Sequence, residues 1–127
     1  MGDAMKLLHI GMLVTDLPRT AGFYEDILGL ARAERPDLGF NGIFYTLDGG
    51  QQIHLMQLDN PYQDCALPAH GGRDRHLALG VADLDSIRQR LDSAGIPYTP
   101  SRSGRAALFC RDPDGNAIEL CESPAIP

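Results

Sequence analysis

Apolar and polar positions change between strand-like and helix-like spacing along the chain, and the same succession occurs twice. In the first half, a short aliphatic run over residues 7–14 predicts a strand. The apolar residues after it recur at helical spacing and form one face: Phe23, Tyr24, Ile27 and Leu28. Asp16 is placed to cap this helix and Gly29 to end it. Three further runs predict strands over residues 31–35, 43–47 and 52–58, the last two forming a hairpin.

The second half repeats this order. A strand over residues 76–81 comes first, and Gly95 ends the helix that follows it. The inner face of that helix carries three apolar residues: Leu84, Ile87 and Leu91. Strands are then predicted near residues 98–101, 106–111 and 117–121. A loop over residues 59–75, which contains prolines and paired glycines, separates the two halves.

Direct alignment of the halves supports a duplicated unit. Residues 9–17 match residues 76–84 with His, Val, Asp and Leu identical, and residues 43–55 match residues 108–120 with Phe, Gly, Ile and Leu shared. We therefore predict an α+β fold in which residues 1–127 form a single domain of two strand-helix-strand-strand-strand modules, about residues 5–58 and 74–122. The strands of the two modules are expected to form one curved, mixed-sheet cup.

Four polar residues occupy equivalent strand positions in the repeat. His9 matches His76 on the first strand of each module, and His54 matches Glu119 on the last strand. Because alternate residues of a strand face the same side, a pseudo-twofold axis between the modules would bring all four side chains to one concave surface. Burying unpaired polar groups there is costly, and a single divalent metal ion would satisfy all four.

The donor set limits the identity of that ion. Three imidazoles suit iron, nickel, cobalt, copper or zinc, and the carboxylate keeps manganese in the set, whereas calcium and magnesium prefer oxygen donors. Four protein ligands leave two adjacent positions of an octahedron for a small substrate with neighbouring oxygens. The site would carry about one positive charge and would stabilise an anion such as an enediolate.

Composition narrows the partners. The net charge is -6, the pI is near 5.0, and Lys6 is the single lysine, so a nucleic-acid backbone is excluded as a partner. Three cysteines lack metal-ribbon or redox spacing and are expected to be reduced. No apolar run is long enough for a membrane span, and the first residues do not read as a secretory signal, so we expect a cytoplasmic protein that does not contact a membrane.

The chain resembles the vicinal oxygen chelate superfamily, which includes glyoxalase I, methylmalonyl-CoA epimerase, extradiol dioxygenases, and fosfomycin or bleomycin resistance proteins. The resemblance covers nearly the whole chain. Its carriers are His9 before Ile10-Gly11, the Phe23-Tyr24 to Gly29 helix end, His76 in its strand, and the block over residues 112–120. It implies a metal-dependent homodimer. In glyoxalase-like members the position of His54 is usually Glu or Gln, and histidine departs from that pattern.

Three functions follow from these residues, in this order. The first is a lyase or isomerase of the glyoxalase or epimerase type, in which Glu119 and His54 are catalytic and the metal stabilises an enediolate. The second is an iron(II) dioxygenase of the extradiol type, with His9, His76 and Glu119 as the facial set and His54 handling protons. The third is a resistance protein that sequesters its ligand without chemistry. Retention of all four ligands favours chemistry over sequestration.

Several other residues are weaker candidates. Arg73 and Arg75, beside a predicted ligand, could clamp a substrate carboxylate or phosphate, and Arg102, Arg105 and Arg111 are fainter candidates of that kind. His70 is expected to be an exposed loop histidine without a role, and Cys121 to be a core residue although it shares the strand face of Glu119.

Overall fold

The computed structural model describes residues 2–123 and contains both predicted modules. The first consists of β1 (His9–Val14), α1 (Leu17–Gly22), a π-helical turn (Phe23–Ile27), β2 (Ala31–Ala33), β3 (Gly42–Thr46) and β4 (Gln52–Gln57). The second consists of β5 (His76–Val81), α2 (Leu84–Ser93), β6 (Tyr98–Pro100), β7 (Ala107–Arg111) and β8 (Ala117–Glu122). Short 3-10 turns lie at Asp48–Gly50 and Gly71–Arg73.

Each module forms its own four-stranded sheet, in the order β1-β4-β3-β2 and β5-β8-β7-β6. β1 is parallel to β4 and β5 is parallel to β8, while the other neighbours are antiparallel. The predicted α+β class and the duplicated modules are confirmed. The expected single curved sheet is replaced by two sheets, because β1 and β5 are edge strands and no hydrogen-bonded ladder joins them within residues 2–123.

The helices pack on one face of each sheet and share a single apolar core across both modules. Asp16 caps α1 and Asp83 caps α2 through their carboxylates, as the repeat requires. Beyond Gly22 the backbone widens into the π-helical turn, where the Leu28 amide donates to the Phe23 carbonyl at 3.2 Å. This turn buries Phe23, Tyr24 and Ile27, so the predicted apolar face is retained although the helix is not a continuous α-helix. No helix of residues 2–123 is long and apolar enough to cross a membrane.

A buried hydrogen bond ties the first module to the second. Tyr24 is fully buried, and its hydroxyl donates to Asp112 Oδ2 at 2.7 Å in the β7–β8 turn. Burial, together with the nearby Asp112 carboxylate, holds the pKa of Tyr24 well above its usual range, so the hydroxyl remains a donor. Asp114 in the same turn accepts hydrogen bonds from the Thr15 and Thr20 hydroxyls at 2.7 and 3.0 Å. The turn therefore positions the second module against the first helix.

We expect Tyr24→Phe to lower the free energy of unfolding by about 1–3 kcal/mol, because it leaves buried Asp112 short of a donor. Tyr45→Phe is the matched control: Tyr45 is equally buried, but its hydroxyl donates to Glu25, whose side chain is 32% exposed and can bond to water instead. Urea-induced unfolding of both variants measures the difference. Equal losses would show that the Asp112 bond contributes nothing specific.

Candidate metal centre

The four predicted ligands occupy equivalent register positions in the two sheets. In the β1–β4 pair His9 lies opposite Gln52, two residues before His54. In the β5–β8 pair His76 lies opposite Ala117, two residues before Glu119. Each pair is therefore a diagonal contact on one sheet face, at the same place in each copy of the repeat.

In the second module His76 and Glu119 face each other. The distance from His76 Nε2 to Glu119 Oε1 is 3.5 Å, and Glu119 is 5% exposed. His76 Nδ1 lies 2.9 Å from the carbonyl oxygen of Asp74. Because a carbonyl only accepts, Nδ1 carries the proton, and in the neutral ring Nε2 presents its lone pair towards the carboxylate. Two acceptors facing each other fit a cation between them, which is the arrangement of metal ligands with an oriented imidazole.

Arg111 holds the residue that orients His76. Its Nη1 donates to Asp74 Oδ2 at 2.8 Å, and its Nη2 donates to the Pro68 carbonyl at 2.7 Å. The hydrogen bond from Arg111 is the main reason why the pKa of Asp74 is lowered. From the sequence Arg111 is a faint substrate clamp, whereas in the structure it is a positioning residue for the loop before β5.

Two further side chains contact the Glu119 carboxylate. Arg105 Nη2 donates to Glu119 Oε2 at 3.0 Å, and the Cys121 thiol donates to the same oxygen at 3.0 Å. The expectation that Cys121 is a core residue is wrong, because it is half-buried on the face of Glu119. Cys110 is the cysteine that belongs to the apolar core.

In the first module the two imidazoles are stacked. The ring centroids of His9 and His54 are 4.1 Å apart with an interplanar angle of 18°, and Phe44 also stacks on His54. His54 Nε2 lies 2.8 Å from Gln52 Oε1. Since the lone pair of an imidazole lies in the ring plane, two nearly parallel rings cannot both direct a lone pair at one ion. In this arrangement only one of the two histidines is set to bind a metal.

Burial, the charge of His9 and the charge of Arg35 lower the pKa of His54. The ring is therefore held neutral near pH 7 and can exchange a proton with a neighbouring group.

The structure brings the four predicted ligands together as two pairs and not as one cluster. Within the part of the chain that is described, no three His, Cys, Asp or Glu side chains converge closely enough to hold one metal ion. One chain therefore contains two half-sites, His9 with His54 and His76 with Glu119. The equivalence of the pairs follows from the sequence, but their separation does not.

The other predicted candidates occupy different environments. Arg75 places its guanidinium over the Tyr62 ring, 4.8 Å from the centroid, and both line a pocket of about 310 Å³ that also contains His76. Arg73 is exposed at the end of the 3-10 turn. The pocket separates β1 from β5, so Arg75 is the better placed of the two arginines to reach a ligand near His76.

His70 is not the exposed histidine that the sequence predicts. It is 9% exposed, with Nδ1 2.7 Å from Thr99 Oγ1 and its ring against Phe109. Gly72 makes this possible, because a Cβ there would lie 2.7 Å from His70 Nε2. Burial lowers the pKa of His70. The sequence signal for this burial was the paired glycine after the histidine, which leaves room for the ring.

Comparison with known proteins gives one family. The family model described as Glyoxalase/Bleomycin resistance protein/Dioxygenase superfamily matches residues 6–120. A lactoylglutathione lyase of Haemophilus influenzae is 29% identical over 132 residues, which cover 94% of this chain and 93% of that protein. The glutathione transferase FosA of Serratia marcescens is 29% identical over 118 residues, covering 91% of this chain and 79% of that protein.

A solved structure has the same fold. The fosfomycin resistance protein FosX of Listeria monocytogenes, complexed with Mn(II) and 1S,2S-dihydroxypropylphosphonic acid, aligns with a TM-score of 0.70 at 21% identity. The alignment covers 95% of this chain and 94% of that one.

Proposed function

Because the chain belongs to the Glyoxalase/Bleomycin resistance protein/Dioxygenase superfamily, we propose that it is a divalent-metal-dependent lyase or isomerase. Its substrate is a small molecule with two adjacent oxygens, and its reaction moves a proton at the carbon beside them. The observation that carries the proposal is the pairing of His76 Nε2 with the buried carboxylate of Glu119 at 3.5 Å. Relatives named as a lactoylglutathione lyase and a glutathione transferase support metal-dependent group chemistry in general.

The chain's own residues divide the work. His9, His76 and Glu119 hold the ion, and Glu119 also accepts the substrate proton as the base. His54, hydrogen-bonded to Gln52 and stacked on His9, stands beside the ion and relays that proton. A bound divalent ion would supply the Lewis acid that holds the adjacent substrate oxygens.

The complete site is proposed to form between two copies of the chain. Each copy offers a first-module pair and a second-module pair, and the edge strands β1 and β5 that carry His9 and His76 have no hydrogen-bonded neighbour on one side. Leu7 and Leu8, directly before β1, are 65% and 66% exposed and would be covered by a second copy. A homodimer with two shared sites satisfies the four ligands and both edges together.

The test is elemental analysis of protein purified without chelators, followed by two assays. We expect one divalent ion per chain and exchange of carbon-bound hydrogen for deuterium in hydroxyacetone, followed by NMR. An oxygen electrode with catechol as substrate provides the opposing result. Iron together with oxygen consumption would replace the proposal by the dioxygenase, and protein that binds none of manganese, iron, cobalt, nickel or zinc would remove both.

A further inference from the structure

The first module presents an arginine whose charge is not matched by a carboxylate. Arg35, in the loop between β2 and β3, lies with its guanidinium 5.0 Å from the centroid of Phe40 and 5.7 Å from that of Phe44. Its Nη2 donates to the Phe40 carbonyl at 2.9 Å. Among residues 2–123, no carboxylate lies within salt-bridge distance of this side chain. Because Phe44 stacks on His54, the unmatched charge lies beside the first half-site.

The position of Arg35 is fixed and leaves donor capacity unused. Its Nε is the one buried side-chain nitrogen or oxygen of residues 2–123 without a hydrogen-bond partner. A Cβ at Gly42 would lie 2.8 Å from that atom, so glycine leaves the room that the guanidinium occupies. An unsatisfied buried donor and an uncompensated charge are both unfavourable, and a bound anion offsets the second directly. The side chain is thus held in place before any ligand arrives.

The second module has an arginine in the corresponding loop. Arg105 lies between β6 and β7, as Arg35 lies between β2 and β3, and its Nη2 donates to Glu119 Oε2 at 3.0 Å. Ser103 Oγ accepts from Arg105 Nε at 3.2 Å and directs the guanidinium towards the site. The side chain is 65% exposed, so it can turn from the carboxylate to a ligand once Glu119 holds a cation. Each half-site therefore has one guanidinium beside its proposed ligands.

We propose that Arg35 and Arg105 together bind an oxyanion group of the substrate, next to the two oxygens that chelate the ion. This inference rests on the proposed function, since the two arginines meet only where the first module of one copy joins the second module of another. A planar guanidinium makes paired hydrogen bonds to carboxylate, phosphate and phosphonate oxygens alike. The substrate class is accordingly a small anionic compound with vicinal oxygens and not a neutral hydroxy-ketone.

The test is calorimetric titration of the Mn²⁺-loaded protein with inorganic phosphate, acetate and neutral hydroxyacetone. We expect Arg35→Gln and Arg105→Gln each to weaken anion binding about tenfold, with Arg35→Lys intermediate because it keeps the charge and loses the planar fork. Hydroxyacetone binding should be unchanged in all of them. Tighter binding of phosphate or of acetate identifies a phosphoryl group or a carboxylate as the natural anion.

Two neighbouring arginines serve as matched controls. Arg32→Gln removes the same charge three residues from Arg35, at a side chain paired with Glu25, and Arg102→Gln removes it from the exposed loop of Arg105. Both should bind phosphate like the wild type. Equal phosphate affinity in wild type, Arg35→Gln and Arg105→Gln, with Mn²⁺ still bound, overturns the inference alone. Protein that binds no Mn²⁺ but still binds phosphate through these arginines sinks the proposed function and leaves the anion site standing.

Discussion

A one-to-one mixture of His9→Ala and Glu119→Gln subunits is expected to regain metal binding that neither variant has alone. In a dimer with shared sites, each homodimer of a variant carries one defective ligand in both sites, and Mn²⁺ affinity should fall by more than about 100-fold. The mixed dimer differs. One of its sites combines both defects, and the other combines the intact first module of the Glu119→Gln chain with the intact second module of the His9→Ala chain.

Random exchange makes half of the dimers mixed, and half of the sites in those dimers are intact. The mixture should therefore recover about a quarter of the wild-type binding capacity at wild-type affinity, measured by equilibrium dialysis with Mn²⁺ after co-refolding or co-expression. Activity should return in the same proportion, since each recovered site is complete.

The matched control mixes His76→Ala with Glu119→Gln. Both changes lie in the second module, so every site in the mixed dimer lacks one ligand and nothing should be recovered. If one chain folded its own complete site, neither mixture would recover anything, and the shared-site proposal would be lost. Recovery in both mixtures would show exchange of something other than the modules proposed.

The equivalence of the two half-sites was predictable because the repeat is encoded in strand positions. A one-residue error in the alignment would place His54 or Glu119 on the opposite sheet face, yet the observed registers place both pairs identically. The hairpin turns and the inward residues Leu84, Ile87 and Leu91 were predictable for the same reason, since local spacing and turn residues determine them.

Relations between modules could not be read from the sequence. Nothing in the spacing of His9 and His76 states whether their strands meet within one chain, because edge strands β1 and β5 are equally complete as partners for a second copy. The Tyr24 hydroxyl bond to Asp112 joins residues 88 positions apart and depends on how the helix lies over the second module. Arg35 carries no local motif, and its unmatched charge becomes visible only when its neighbours are placed around it.

His54→Ala is expected to separate metal binding from catalysis. Because the His54 ring is stacked nearly parallel to His9, it does not direct a lone pair at the same ion, and its loss should leave Mn²⁺ affinity within about threefold of the wild type. His76→Ala, which removes an oriented ligand, should lower that affinity by more than about 100-fold. The rate of hydrogen exchange should fall by about 10²–10⁴ in His54→Ala if the ring relays a proton.

The conservative variant His54→Gln distinguishes proton transfer from packing. Glutamine retains a hydrogen bond to Gln52 and much of the side-chain volume beneath Phe44, but it cannot take up and release a proton near pH 7. Wild-type metal affinity with a kcat as low as that of His54→Ala would assign the loss to proton transfer. A fall in Mn²⁺ affinity equal to that of His76→Ala would instead mean that the ring leaves the stack and ligates the ion directly. In that case four protein ligands surround the ion, and only two adjacent positions remain for the substrate.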